Sequence, residues 1–437
     1  MSIWKEFKIG DLYNVSSGLS KNADQFGFGT TFISFKDVFG NYFLPDNPDG
    51  LVNSTIKDQE TCNVLLGDIL ITRTSESLEE VGMTSVALKD YPHSTFNGFS
   101  KRLRLKTNSP IEISPLFIGY LLRTRFFRKS IANFATMTTR ASLNGESIKS
   151  IPLKFPPIQI QNEIGNTLFS LEKKISLLRE ENLILEELAK TIFKRWFVDF
   201  EFPNEFGNPY KSSGGSMVGS VLGEIPEGWK VGRFEEIIEF INGYAFTSEN
   251  LLSESSNTTL EVFKMGHIKK GGGFNPLKTK SYFEVNSVKG LDRFILKKGD
   301  LLMCMTDMKD NSSLLGHTAL MPVSGKYIVN QRVGLIRPKN NCEINFPYLY
   351  ILTNSNPFLN EIRSRANSGV QVNLSTNGIK ETETIFPDIE TNKKFQSVVK
   401  ELFEKMFANQ FEQQLLIEFR DTLIPKLMSG ELNIKID

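Results

Sequence analysis

The feature that most limits what this chain can fold into is that it is written twice. LAKTIFKRWF, 188–197, lies over FRDTLIPKLM, 419–428, with Thr191 on Thr422, Ile192 on Leu423 and Phe193 on Ile424, an offset of 231 residues. The same offset runs without a gap back through Phe155-Pro156 on Phe386-Pro387, Ile148-Lys149 on Ile379-Lys380 and Leu143 on Leu374. Earlier anchors drift by a few residues, Gly67-Asp68 falling on Gly299-Asp300 and Trp4-Lys5 on Trp229-Lys230, as small insertions would make them. A repeat of this length calls for two copies of one structural plan, each ending in a long helix.

Length agrees, because 437 residues exceed the roughly 250–300 that a single core fills. Each half reads as a mixed globular part of about 155 residues, an ordinary domain size, followed by a helix. Runs such as GDILITRT and GDLLMCMT open on a Gly-Asp turn and continue with β-branched or apolar residues, which predicts strands. SPLFIGYLLRTRFFRKSI and FPYLYILTNSNPFLNEI predict helices. Between the halves, FGNPYKSSGGSMVGSVLGEIPEG is rich in Gly, Ser and Pro and predicts a linker.

The overall charge of +1 conceals two basic regions. From Phe99 to Lys154, eleven Lys or Arg stand against Glu112 and Glu146; from Lys264 to Lys298, nine stand against Glu284 and Asp292. Two polyanion-facing modules are the expectation. No apolar run approaches the roughly 20 residues that span a bilayer, the N-terminal MSIWKEFKIG has no signal core, and Cys62, Cys304 and Cys342 are too few for a disulfide framework. The expected compartment is the cytoplasm.

In the first long helix, Ile164, Leu168, Leu171, Ile175, Leu178, Asn182, Leu185, Ala189 and Ile192 recur at alternating steps of four and three, a heptad seam. Its copy reads Phe395, Val399, Leu402, Met406, Asn409, Gln413 and Leu416. Two similar seams in one chain can pack on each other, antiparallel if the chain folds back, and some 40 helical residues span on the order of 60 Å. The polar seam residues, Asn182 aligned with Gln413, would fix register. The helix ends are unusually apolar: Phe193, Trp196 and Phe197 in one copy, Leu423, Ile424, Leu427 and Met428 in the other. They either cap a bundle core or form a duplicated docking surface for partner subunits. Pro425, where the first copy has Lys194, predicts that the second helix kinks or ends there.

Catalytic constellations are missing from the sequence. There is no GxxxxGK[ST] phosphate loop, and His93, His267 and His317 do not stand at metal-ligand spacing from the cysteines. Asn345-Phe346-Pro347-Tyr348 lacks the first Pro of the adenine-methyltransferase loop [DNS]PP[YFW], and Asp307-Met308-Lys309 has no Pro-Asp before it to complete a nuclease motif. Catalysis is expected elsewhere. A tandem scaffold binding protein or RNA stays open on these grounds alone.

LAKTIFKRWFVDF, the GEIPEGWK that opens the second half, and RDTLIPKLMSGEL near the C-terminus closely resemble the specificity subunits of type I restriction-modification enzymes, and the resemblance covers essentially the whole chain. It implies an α/β (α+β) tandem repeat: two mixed globular target-recognition domains separated by two long antiparallel coiled-coil helices. The expected boundaries are 1–157 and 228–388 for the recognition domains, 158–200 for the central helix, 201–227 for the linker, and 389–437 for the C-terminal helix and tail. The implied role is that of a non-catalytic subunit that reads a bipartite target in double-stranded DNA. It would bind two methyltransferase subunits and, in the full enzyme, two restriction and translocation subunits. S-adenosylmethionine, ATP and magnesium would then belong to those partners, with no cofactor, metal or membrane contact in this chain.

Within that reading, loops offer the DNA contacts, since a scaffold positions their polar groups while leaving them free to reach. In the first domain the candidates are Ser17, Gly18 and Lys21; Arg73, Thr74 and Ser75; Asn97 with Ser100, Lys101 and Arg102; and Thr138, Thr139 and Arg140. In the second they are Asn242 and Tyr244; Lys264, His267 and Lys269; Thr306 with Lys309; Asn330, Gln331 and Arg332; and Ser368 with Gln371 and Asn373. Gly18 coincides with Gly243, Asn97 falls near Asn330, and Arg140 falls on Gln371. Unlike residues at one aligned position suit two domains reading different half-sites.

Overall fold

The computed structural model describes residues 4–78, 80–137, 140–276, 280–285, 290–308, 313–339, 344–367 and 371–432. The chain divides into two compact units. Unit 1 comprises Met1–Ser176 with Leu415–Asp437, and unit 2 comprises Leu177–Gln414. The division falls inside both long helices, so neither helix belongs to one unit alone.

In unit 1 the apolar run after Gly67-Asp68 forms the strand Ile69–Thr72, all four residues buried, at the heart of a four-stranded antiparallel sheet. Its order is Tyr13–Ser17, Ser100–Leu105, Ile69–Thr72, Thr84–Val86. Unit 2 repeats the order with Ile238–Asn242, Val333–Pro338, Leu301–Cys304 and Thr318–Leu320. Each unit also has a three-stranded sheet with one parallel and one antiparallel pairing. In unit 1 it is Leu51–Val52, Phe26–Ile33 and Thr95–Phe96; in unit 2, Tyr282–Glu284, Thr259–Phe263 and Tyr327–Val329. Both predicted helical stretches are pairs of shorter helices. Pro115–Leu121 gives way to Arg125–Phe134 at Thr124, whose hydroxyl accepts from the Phe127 N–H and caps the second helix. Phe346–Thr353 gives way to Asn356–Ser364 at Asn354-Ser355.

A buried ion pair recurs at the same place in both sheets. Asp68 accepts from Nε and Nη2 of Arg104 and from the Leu65 N–H; Asp300 accepts from Nε and Nη2 of Arg337 and from the Lys297 N–H. The Gly-Asp anchors of the repeat are these turns. A carboxylate bonded by a guanidinium fork and a backbone N–H keeps its charge at low cost inside the protein.

The long helices run Ile158–Phe193 and Ile389–Ser429. Within unit 2 their contacts run antiparallel: Asn409 Nδ2 donates to Asn182 Oδ1 at 3.0 Å, Asn182 Nδ2 donates to the Met406 carbonyl, and further along, Phe193 meets Phe395 edge-on. Asn182 therefore meets Asn409 in space, while Gln413 is its counterpart in the repeat. Within unit 1, Ile424, Leu427 and Met428 share a core with Ile164 and Leu168, and Arg420 donates to Glu172 at 2.6 Å.

Two expectations are corrected. The C-terminal helix does not end at Pro425 but runs through it to Ser429. A proline inside a helix costs about 3 kcal/mol. Burying each large apolar side chain returns roughly 1.5–3, and Ile424, Leu427 and Met428 are three such. At the aligned Lys194 the central helix instead widens into a π-turn, Lys194–Val198. The second correction concerns 201–227, which is a packed segment rather than a free linker. Phe202 stacks between Tyr210 and Trp229 at 4.5 and 5.2 Å, and Met217–Ser220 pairs with Gly223–Pro226 as a hairpin that buries Ile225.

Candidate nucleic-acid interface

The repeat glycines are the pivots of the site. A Cβ on Gly18 would stand 2.1 Å from the Asn97 carbonyl oxygen, and a Cβ on Gly243 would stand 2.1 Å from that of Asn330. Only glycine allows so close an approach of two backbones. It lets Leu19 bridge Asn97 and Tyr244 bridge Asn330, each in parallel sense, which turns the strand end toward the same loop in both units.

In unit 1 this brings together residues far apart in sequence. Ser17 pairs with Lys101, whose Nζ donates to Ser17 Oγ at 2.7 Å. The Arg73 N–H donates to the Phe99 carbonyl, and the Arg73 carbonyl accepts from Leu143. A short ribbon then forms, Thr74–Ser75 against Ala141–Ser142, which pairs in turn with Thr136–Met137. Arg73, Thr74, Lys101, Ser142, Leu143, Asn144 and Gly145 line a cleft of about 200 Å³. Among the described residues Arg73 Nε is buried without a partner, and burial together with the Arg73 charge lowers the Lys101 pKa. Arg140 is exposed at the ribbon turn, while Thr138 and Thr139 lie outside the described residues. Lys21 pairs with Asp58 at 2.9 Å; the Lys21 hydrogen bond, with that of the Thr55 N–H, holds the Asp58 carboxyl down at about 2. Ser75 donates to Glu80.

Unit 2 gathers its counterparts in the same way. Thr306 pairs with Asn373 in the ribbon Thr306–Met308 with Gln371–Asn373, and Asn242 Oδ1 accepts from Thr376. Asn330 Oδ1 accepts from the Arg332 N–H, leaving Gln331 and Arg332 exposed beside it. Tyr244 packs against Phe246, Phe283 and Phe294. Lys269 is exposed on the turn before Gly271, and Lys264 Nζ donates to Ser281. Lys309, Ser368 and the Gln371 side chain lie outside the described residues.

Several candidates are interior and cannot touch a duplex as they stand. Asn97, Ser100 and Arg102 are buried; Asn97 donates to the Ile33 carbonyl, and Arg102 donates to the carbonyl and side chain of Asn63. His267 is 1 % exposed, with Nδ1 accepting from the Lys264 N–H and Nε2 against Glu261 at 3.2 Å, its ring stacked on Phe263. The helix ends are likewise core: Phe193, Trp196 and Phe197 pack among Tyr348, Phe395 and Trp229 in unit 2. In unit 1, Ile424, Leu427 and Met428 are buried and Leu423 packs beside them. The capping reading therefore replaces the docking surface at these residues. What the helices do expose is a different series, with Leu177, Ile184 and Leu188 on the central helix and Phe411, Leu415 and Phe419 on the C-terminal one. These spacings of seven and four were visible in the sequence, off the seam. Ser142, Asn144 and Gly145 were also missed, although they directly flank the repeat anchor Leu143.

Among the described residues no group of three or more His, Cys, Asp or Glu gathers as metal ligands, and no helix is long and apolar enough to cross a membrane. The motif-like Asn345–Tyr348 simply starts the helix Phe346–Thr353, with Tyr348 buried.

The family model described as the type I restriction modification DNA specificity domain matches this chain twice, over residues 1–187 and 226–418. The chain belongs to that family. The two matches contain the two sheets and their ribbons. The type I restriction enzyme MjaIX specificity subunit of Methanocaldococcus jannaschii is 24% identical over 99% of this chain and 94% of its own length. The HindI specificity subunit of Haemophilus influenzae is 26% identical over 99% and 100%. Among solved structures, the type I restriction-modification S subunit from M. genitalium aligns over 99% of this chain and 97% of its own, at 16% identity and a TM-score of 0.58, and so shares the fold. This specificity subunit is thus a recognition chain for DNA, and the chemistry of restriction and modification belongs to other subunits.

Proposed function

We propose that this specificity subunit reads a bipartite duplex target, one half-site per unit, through the loops gathered at Gly18 and Gly243. The observation that carries the reading is the duplication of one loop geometry with unlike side chains on it. Thr74 opposite Ser142 in unit 1 corresponds to Thr306 opposite Asn373 in unit 2. Lysines and arginines there would position the duplex on its phosphates while the ribbon side chains meet base edges, each good bidentate contact discriminating by about 1–3 kcal/mol. The paired long helices would set an unread gap between the half-sites.

Two methyltransferase subunits, and in the full enzyme two restriction subunits, would assemble on it in the cytoplasm and bring S-adenosylmethionine, ATP and magnesium with them. The exposed apolar series on the long helices is the surface proposed for that assembly, since solvent-facing leucines and phenylalanines at helical spacing invite partner helices. Mapping methylated adenines by single-molecule sequencing, in cells carrying this chain and its methyltransferase, tests the reading. Two short constant segments at one fixed spacing are expected. A contiguous motif, or none, would overturn it.

A further inference from the structure

The two units differ most at the cleft beside Lys101. The sheet registers set Ile71 opposite Lys101 and, in unit 2, Met303 opposite Gly334, so Arg73 corresponds to Met305 and Lys101 to Gly334. Unit 2 closes the space: a Cβ on Gly334 would stand 2.3 Å from the Phe240 ring, with the Met305 sulfur at 3.4 Å, and Met305 is buried. Unit 1 keeps it open, about 200 Å³, lined by Arg73 and Lys101 with Thr74 and Ser142. No carboxylate is among its lining residues.

We propose that this cleft seats one DNA backbone phosphate, so that unit 1 holds its half-site with an anion contact that unit 2 does not have at the equivalent place. The inference rests on the DNA-reading role given above and adds which residues hold the backbone. Two cations facing one small polar space repel each other until an anion enters, and a base edge offers dipoles without net charge. Arg73 lines the cleft beside Lys101, and Ser17 Oγ holds Lys101 Nζ toward the same loop. Burial and the neighbouring Arg73 guanidinium lower the Lys101 pKa. A phosphate relieves that repulsion, and its condensed counterions are released on binding.

The test uses the full chain assembled with its methyltransferase, and a duplex carrying the target mapped as above, in fluorescence anisotropy across a salt series. Arg73→Met together with Lys101→Gln should make the slope of log K against log[salt] shallower by about one, and each alone by less, while the methylated sequence stays the same. Arg73→Lys and Lys101→Arg should keep the slope, which separates charge from folding. In addition, one methylphosphonate in the half-site of unit 1 should weaken the wild-type complex and leave the double variant indifferent. Unchanged slopes in the neutral variants, an altered methylation motif, or no phosphate with that behaviour would each overturn the seat while leaving sequence reading intact. A wild-type complex with no preference for the mapped duplex would instead bring down the recognition reading, and the seat with it.

Discussion

Units 1 and 2 are one design with two surfaces. Their four-stranded sheets share an order, their Gly-Asp turns share an aspartate–arginine pair, and Gly18 and Gly243 meet an asparagine carbonyl at the same distance. Where the sheets end, the likeness stops: Arg73 and Lys101 stand where unit 2 has Met305 and Gly334, and Met83 stands where unit 2 has His317. Duplication kept the positions at which geometry admits one residue and released those at the ends of the sheet strands. A chain that must read two different half-sites needs that division.

The largest effect should come from the shared ion pair. Asp68→Asn leaves Arg104, and Asp300→Asn leaves Arg337, as a cation without its counter-charge; breaking such a pair costs about 3–5 kcal/mol when fully buried, and these arginines are partly exposed, so about 3 is expected. Hydrogen-exchange mass spectrometry should show Asp68→Asn loosening the strands of unit 1 and Asp300→Asn those of unit 2, to similar extents. A loss confined to one of the two would break the comparison.

Next come the pivots. Gly18→Ala and Gly243→Ala force a methyl group against a backbone carbonyl that cannot rotate away, an overpacking worth roughly 1–3 kcal/mol. Thermal unfolding should fall in both variants, and DNA affinity more steeply than stability, because the loop itself is displaced. Full retention of affinity in either would mean that this loop does not meet the duplex.

These positions also mark what was legible beforehand. The repeat, the strands after Gly67 and Gly299, the helical seam and the family all followed from patterns that sterics keep rigid. The facing of individual polar side chains did not. Asn97, Arg102 and His267 look like readers in sequence because they are polar, yet each is buried and bonded inside, Asn97 and Arg102 to backbone carbonyls and His267 to Glu261. Polarity predicts exposure only where no internal partner exists, and partners come from distant parts of the chain. The aromatic helix ends misled in the opposite sense, since the residues that cover them, Tyr348, Phe395 and Trp229, follow much later. The packed segment 201–227 escaped composition for the same reason: its stacking partner, Trp229, lies just beyond it.

A smaller effect should separate the stretches of the helix pair. Asn409 donates to Asn182 and to Glu181 in unit 2, whereas the unit 1 stretch uses Arg420 on Glu172. Asn409→Leu should cost about 1–3 kcal/mol by leaving Asn182 Oδ1 without its donor. Adding Asn182→Leu should recover most of that, since two apolar residues can replace a buried polar pair. A double variant no more stable than the single would show that the pair does not act as a unit.

The smallest effect is one of pH. Burial, with Arg363, Lys190 and Lys270 nearby, lowers the pKa of His317 below 6.5, although its Nδ1 contact with Asn354 pulls the other way. The unfolded chain therefore binds a proton at a pH where the folded one does not. Stability is full above about 6.5 and declines as the solution is acidified through that value, until the folded group also takes its proton. The slope cannot exceed about 1.4 kcal/mol per pH unit for one group. Met83 makes no such contribution in unit 1. His317→Met should flatten this part of the response, and Asn354 stays partnered because its Oδ1 also accepts from the Thr318 N–H. Urea unfolding of a Trp4→Phe chain leaves Trp196 and Trp229 of unit 2 as reporters and gives the midpoint at pH 7.0 and 5.5. The difference between those midpoints should shrink in His317→Met. If it does not, the acid sensitivity of unit 2 resides in its carboxylates, and its imidazole is as silent as the methionine opposite it in the repeat.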